Sequence, residues 1–279
     1  MDKRYGESLD HWHSKPSDDE GSLTKTEISK ILYAESLRVN RLKRFNDALT
    51  LINVAIENDD TNFKYYLQKA IILENLSRFP ESQKAYDDAI DLNDSDEIYE
   101  NKAGMLYKWA NSLNDKEKAL KLIGEAIEIL PADSVDAYFE KFWYLKGSIY
   151  DCLGLAIESR RCYLIAEGLT DELKELDEEI NLLKNSTDTL ISIAGTQFYF
   201  GFDPFAKGTT LDLIKEPENE HDSDAIRVEI EGETVGYVAN NDHTITDNVK
   251  RASEIKGLNP SKAEVVMIYL GQYVIAKII

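Results

Sequence analysis

The chain is 279 residues long, 43% hydrophobic, and carries a formal net charge of −20 at pH 7; this excludes a disordered or fibrous class and leaves enough apolar material for one or two buried cores. Residues 1–189 hold 24 Lys/Arg against 38 Asp/Glu, and residues 190–279 hold 8 against 14. Both parts are therefore acidic, and tight unspecific duplex binding is excluded unless a local basic stripe overrides the field.

In chain order, residues 1–25 mix Gly, Ser, Pro, His and charges without periodicity, and a disordered tail is expected. Asp2, Lys3 and Arg4 open the chain with no signal-peptide core behind them, and no apolar run reaches the ~18 residues of a membrane span, so a cytoplasmic protein is expected. The pair His11 and His13 in that tail is read as solvated. Cys152 and Cys162 have neither zinc spacing nor a disulfide framework. No metal and no cofactor is expected.

From residue 26 the chain repeats itself with a period of 34: Ser36 and Ala70, Phe45 and Phe79, Ile52 and Tyr86, and Ala55 and Ala89 are each one period apart. Within a unit, small residues fall where two helices approach closely, and a large residue falls between them, as in Ala48, Ile52, Ala55 and again in Ser82, Tyr86, Ala89. A third unit has Ala103, Ala119, Ile123 and Ala126, closed by Pro131, with its second half three residues late, which places an insertion in a loop around Asn111 to Lys116. A fourth has Trp143, Gly147, Tyr150, Gly154, Ser159, Tyr163 and Ala166. The pattern resembles tetratricopeptide repeats over about residues 26–173, and the segment Asp171 to Lys184 has the one-sided leucine spacing of a capping helix.

That resemblance implies an α-solenoid in which a single hairpin cannot bury its own apolar face, so neighbours stack and the first helices line a groove. By repeat phase the inward-facing residues are Tyr33, Leu37 and Asn40, then Leu67 and Ile71, then Tyr107 and Tyr144. Tetratricopeptide proteins that grip an acidic C-terminal carboxylate carry Lys and Asn where this chain has Tyr33 and Leu37, so that clamp is not expected. The groove residues either receive a protein or peptide partner or pack on neighbouring structure.

After the linker 185–189 the periodicity changes from helical to alternating. Strands are expected at Leu190–Phe200, Thr210–Ile214, Ala225–Ile230, Thr234–Ala239, Ala263–Leu270 and Tyr273–Ile279. Glu231-Gly232 and Gly271 fall at hairpin turns, and Asp242 to Ser253 reads as a helix. Six short strands and one helix in about ninety residues suggest a small, partly open barrel related to the OB fold. The fold class is α+β multidomain: residues 26–184 are repeats plus cap, and residues 190–279 a β domain.

Within the β domain, Gly195-Thr-Gln-Phe-Tyr-Phe-Gly201 is followed by Glu216-Pro-Glu-Asn219, Asp222-Ser-Asp-Ala-Ile-Arg-Val228 and Gly236-Tyr-Val238. This ordered set resembles the HIRAN domain, and the resemblance covers nearly all of residues 190–279. It implies capture of the free 3′ end of a single DNA strand: Phe198, with Tyr199 beside it, stacks on a terminal base, His221 takes a second stacking position where tyrosine is usual, and Asp222 accepts from the 3′-hydroxyl. Asn219 and Tyr237 complete the candidate surface, with Lys250 and Arg251 as its cations. Gln197 and Asn240 stand where the DNA-binding members are basic. Two other readings stay open: Phe198, Tyr199, Phe200, Phe202 and Phe205 as mostly core and inter-domain contacts, and Asn219 with Asp222 as an Asx-type loop closure.

No nucleophile, acid/base pair or P-loop stands out, so the chain is expected not to be an enzyme. The favoured reading is recognition of a single-stranded DNA 3′ end, with the repeats recruiting a protein partner, in a setting such as DNA repair. The competing reading is a protein-interaction adaptor whose β domain binds no DNA.

Overall fold

The computed structural model describes residues 23–132, 136–241 and 248–279. The expected tail, including His11 and His13, lies outside these apart from its last residues. Thr24 and Lys25 begin the first helix: Thr24 Oγ1 accepts from Glu27 N at 3.2 Å, and Thr24 N donates back to the Glu27 carboxylate at 2.8 Å. The Thr24 backbone N–H first, and the Thr24 hydroxyl donating to the same carboxylate at 2.8 Å, hold the Glu27 carboxyl below its usual range. The capping box Thr-x-x-Glu is thus a start signal that the tail assignment overlooked.

Helices follow at Lys25–Arg41 (α1), Phe45–Asn58 (α2), Phe63–Asn75 (α3), Phe79–Leu92 (α4), Asp96–Ser112 (α5), Lys116–Ile129 (α6), Asp136–Cys152 (α7), Ala156–Ala166 (α8) and Thr170–Asn185 (α9). The residues picked out by the 34-residue period are buried: Ala48, Ile52 and Ala55 in α2, Tyr86 and Ala89 in α4, and Ala119, Ile123 and Ala126 in α6. Small residues let the paired helices come close enough for side chains to bond to the neighbouring backbone. Ser29 Oγ donates to Ala55 O at 2.8 Å and Ser82 Oγ to Ala70 O at 2.9 Å. Burial and the Glu74 carboxylate push the Tyr86 hydroxyl pKa up.

The insertion in the third unit is not in the loop. The turn there, Leu113 to Asp115, is as short as Leu42 to Arg44 and Leu76 to Arg78, whereas α5 has 17 residues against 13 in α3. Four added residues make about one helical turn of 3.6 and so leave the buried face in phase. Asp115 then caps α6 by accepting from Lys118 N at 2.9 Å.

Two compact units divide between Ile149 and Tyr150, not at the 185–189 linker. The reason is a shared core: Leu164, Leu176 and Leu183 of α8 and α9 pack in one cluster with Leu190, Val249, Met267, Tyr269 and Ile275. The end of α9 is tied in further by Asn248 Nδ2, which donates to Leu183 O at 2.6 Å.

Strands Leu190–Ala194 (β1), Thr210–Lys215 (β2), Ile226–Ile230 (β3), Glu233–Val238 (β4), Lys262–Tyr269 (β5) and Tyr273–Ile278 (β6) form a barrel in the order β1-β4-β3-β2-β5-β6, antiparallel throughout. The barrel is closed, not partly open, because β6 pairs with β1 from Leu190↔Lys277 to Ile193↔Val274. Alternate residues such as Ile191, Ile193, Leu211, Leu213, Val228 and Val265 fill its interior.

One expected element ends early, and another is helical only at its end among the described residues. The first strand stops at Ala194 because Gly195 takes a left-handed conformation (φ 76°) and leads into a short 3-10 turn, Thr196–Phe198. The helix expected at 242–253 lies outside the described residues up to position 247, and beyond them α-helix is confined to Ala252–Ile255 (α10), followed by a 3-10 turn at Lys256–Leu258. Lys250 and Arg251 are therefore not on it: Lys250 forms a parallel bridge with Ile191, and Arg251 is the residue before the helix.

Among the described residues, no helix is long and apolar enough to cross a membrane.

Candidate nucleic-acid interface

The aromatic run stands on the rim because the turn carrying it is locked by its own backbone. Phe198 N donates to Gly195 O at 3.0 Å, and Tyr199 N and Gly201 N both donate to Thr196 O, at 2.9 and 3.0 Å. Thr196 is buried, and Phe198, Tyr199 and Phe200 turn outward with 80%, 41% and 55% of their surface exposed. The reading as core thus fails for these three rings and holds for Phe205, which is buried in the barrel core, and for Phe202, which packs against it. Three successive exposed aromatic side chains leave a large apolar area in water, which marks a contact surface more often than a scattered one does.

Opposite the turn runs the loop between β2 and β3. Asn219 Oδ1 accepts from His221 N at 3.0 Å and from Asp222 N at 3.2 Å, and Asp222 Oδ1 accepts from Asp224 N at 2.8 Å. Asn219 and Asp222 thus do close the loop in the Asx manner. The other Asp222 oxygen accepts from Asn240 Nδ2 at 2.7 Å, and Asn240 Oδ1 accepts from Ser253 N at 3.1 Å. Asn240 is therefore a tie between the loop and α10. A carboxylate offers about four acceptor positions, so Asp222 keeps acceptor capacity after these two bonds.

Between turn and loop lies a pocket of about 370 Å³ whose wall includes Gly195, Asn219, His221, Asp222, Tyr237 and Asn240. Phe198 lies at its edge: a Cβ on Gly195 would meet the Phe198 Cδ2 atom at 3.9 Å. The structure thus brings Asn219, His221, Asp222 and Tyr237 into one wall and sets Phe198 close by. Tyr199 stands next to Phe198 on the turn, and the Tyr237 hydroxyl pKa is pushed up by burial first and by the Glu216 charge second. Gln197 is exposed on the same turn. Lys250 and Arg251 are not part of the wall; Lys250 Nζ lies 3.7 Å from Glu254, and Arg251 N donates to Glu254 at 2.8 Å. That backbone bond, with the Lys250 charge, holds the Glu254 carboxyl below its usual range.

The other cations near the rim are committed internally. Arg227 lies between Glu216, at 2.6 Å, and Glu229, at 3.0 Å. Lys256 pairs with Asp224 at 2.7 Å, and Lys215 is bound by Asn259 Oδ1 and the Lys256 carbonyl. Glu216 was not among the candidate site residues. Its signal in the sequence is faint: a glutamate just past β2 and an arginine on the outward side of β3.

Of the groove residues, Tyr33, Leu37, Asn40, Leu67, Ile71 and Tyr107 are half-buried on the first helices, and Tyr144 is exposed. Tyr33 packs on Tyr65 with ring centroids 5.3 Å apart, and Tyr107 stacks on Phe142 at 5.2 Å under the Lys141 ammonium, 4.2 Å above it. Asn40 Oδ1 accepts from Asn75 at 3.5 Å, and Glu74 pairs with Lys108. Tyr33, Asn40 and Tyr107 therefore join successive first helices to one another, while Leu37, Leu67 and Ile71 keep partly open apolar surface.

The helical repeats resemble tetratricopeptide structures. The TPR domain of Arabidopsis OM64 is 14% identical with a TM-score of 0.34, covering 46% of this chain and 98% of that one. MamA from Desulfovibrio magneticus RS-1 is 18% identical with a TM-score of 0.36, covering 56% and 92%. The pilF protein of Pseudomonas aeruginosa is 13% identical with a TM-score of 0.35, covering 57% and 72%. No curated protein sequence matches the chain. Residues 187–254 match the family model of the HIRAN domain, and this part of the chain, with its rim pocket and exposed rings, is a HIRAN domain.

Proposed function

We propose that the barrel rim receives the free 3′ end of a single DNA strand and that the repeats hold a protein partner, in the processing of DNA ends such as occurs in repair. A HIRAN domain suggests nucleic-acid binding and tetratricopeptide-like repeats suggest protein interaction. The observation that carries the finer reading is the exposed Phe198 ring at the edge of a pocket with Asp222 in its wall. A terminal base stacked on that ring gains ~1–3 kcal/mol whatever its identity. The sugar hydroxyl then reaches a carboxylate that has acceptor capacity left. A 3′-phosphate in the same place meets the Asp222 carboxylate, and like charges in a partly desolvated pocket repel each other.

Fluorescence anisotropy with short strands ending in a 3′-hydroxyl or a 3′-phosphate tests this. The hydroxyl strand is expected to bind more tightly. Phe198→Ala is expected to weaken both strands by about 5- to 150-fold, the equivalent of one stacking contact. Asp222→Ala removes the preference. Because Arg227, Lys215 and Lys256 are engaged within the barrel, affinity falls only gently with salt, with a slope of log K against log salt no steeper than about −1.4, the value for two phosphate contacts. Negligible binding of both strands overturns the reading.

One observation favours the adaptor alternative: Asp222 already accepts two internal hydrogen bonds, as a purely loop-closing residue would. In that case neither strand binds and the apolar surface around Leu37, Leu67 and Ile71 is the working face.

A further inference from the structure

We infer that Glu216 is the positioning residue that holds the stacking turn and the end-binding loop in register, an inference that rests on the 3′-end reading proposed above. Glu216 Oε1 accepts from Arg227 Nη1 at 2.6 Å on β3, and Oε2 accepts from Asn219 Nδ2 at 3.0 Å in the loop and from the Tyr237 hydroxyl at 3.3 Å on β4. A tyrosine has one O–H to donate. The Tyr237 O–H is committed to Glu216, and Gly236 beside it on β4 stands against the base of the aromatic turn: a Cβ there would lie 3.6 Å from Thr196 Cγ2. One carboxylate is thus linked, through Tyr237, to the strand against which the turn packs and, through Asn219, to the amides of His221 and Asp222.

The Glu216 side chain is about one-fifth exposed, so these bonds act in a medium less screening than water, where networks reinforce one another. The charge on Glu216 is matched by Arg227, itself shared with Glu229. Neither Glu216 nor Arg227 is part of the pocket wall; both act through the residues that are. The two arms of the network make different predictions. Asn219 sets where Asp222 stands, and so governs discrimination at the strand end. Tyr237 sets where the aromatic turn stands, and so governs stacking.

Anisotropy with the full chain and the same two strands separates the arms. In Glu216→Gln, which keeps the shape and removes the charge, the preference for the 3′-hydroxyl strand is expected to fall at least fivefold, towards equal binding. In Tyr237→Phe, which removes one hydroxyl, both strands are expected to weaken by a similar factor with their ratio kept. In both variants, amide exchange at His221 and Asp222 reports the network independently: it is expected to quicken in Glu216→Gln and to stay as in the wild type in Tyr237→Phe. If the wild type prefers the hydroxyl strand and both variants match it in affinity and ratio, the positioning role is overturned and the 3′-end reading stands. If the wild type itself shows no preference, both fall. Should Glu216→Gln not fold, Tyr237→Phe decides: a changed ratio, or no change in either affinity, overturns the inference.

Discussion

Gly236→Ala is expected to lower the melting temperature of the barrel by on the order of 10 °C, the shift that about 3 kcal/mol produces in a domain of this size. A Cβ at that position meets Ala194 O at 2.7 Å and Ile193 Cγ2 at 2.9 Å. The first contact is with backbone, which cannot rotate aside as a side chain can, and overpacking of this kind costs about 1–3 kcal/mol or more. The strain falls on the least extensive seam of the barrel, since β1 and β4 are paired only through Ile193↔Val238 and Ala194↔Tyr237. Forcing them apart also displaces Gly195 and with it the aromatic turn, so binding is lost along with stability. Gly257→Ala is the matched control. A Cβ there meets nothing within 4 Å, and its melting temperature stays within a degree or two of the wild type.

The second large effect comes from outside the segment that matches the HIRAN model. Leu183→Ala, on α9, is expected to destabilise the barrel by about 2–5 kcal/mol. Leu183 is buried in the cluster that also holds Leu190, Met267, Tyr269 and Ile275, so truncating it opens a cavity against β5 and β6. Its neighbour Leu182 is more than a third exposed, and Leu182→Ala is expected to change stability by less than about 0.5 kcal/mol. Hydrogen exchange reads the difference: protection of the β5 and β6 amides falls in the first variant and is retained in the second. If Leu183→Ala leaves those amides as protected as in the wild type, α9 is a cap on the repeats alone and the unit running from Tyr150 to Ile279 is wrongly drawn.

The repeats were legible because burial at a fixed spacing leaves a periodic trace. Ser36 and Ala70, and Ile52 and Tyr86, could be matched by counting, and each is buried where the count puts it. What counting could not settle was the length of α5, since four extra residues in a helix and three in a loop shift the following motif almost alike. In the barrel, the glycines and the Asn219 to Asp222 loop were legible because local geometry demands those residue types. The end of β1 at Ala194 was not, because alternation of apolar residues continues through Phe198 and Phe200 and hides the left-handed Gly195 that precedes them. Barrel closure and the Glu216 network depend on register between strands distant in sequence. Asn240 reaches Asp222 from eighteen residues away, and nothing local to either residue announces the bond. The assignment of Lys250 and Arg251 to a helix failed for a related reason: a bridge to β1 holds Lys250 in place, and no signal in its own neighbourhood encodes that partner.

The most direct test of the pocket is an amide NMR titration of the isotope-labelled full chain with a trinucleotide bearing a free 3′-hydroxyl. The signals of Gly195, Phe198, His221, Asp222 and Asn240 are expected to shift together and saturate at one equivalent, and the same trinucleotide ending in a 3′-phosphate is expected to leave them largely in place. Shifts confined to residues of α1 to α7, or equal responses to both trinucleotides, would contradict a rim that reads an unblocked strand end.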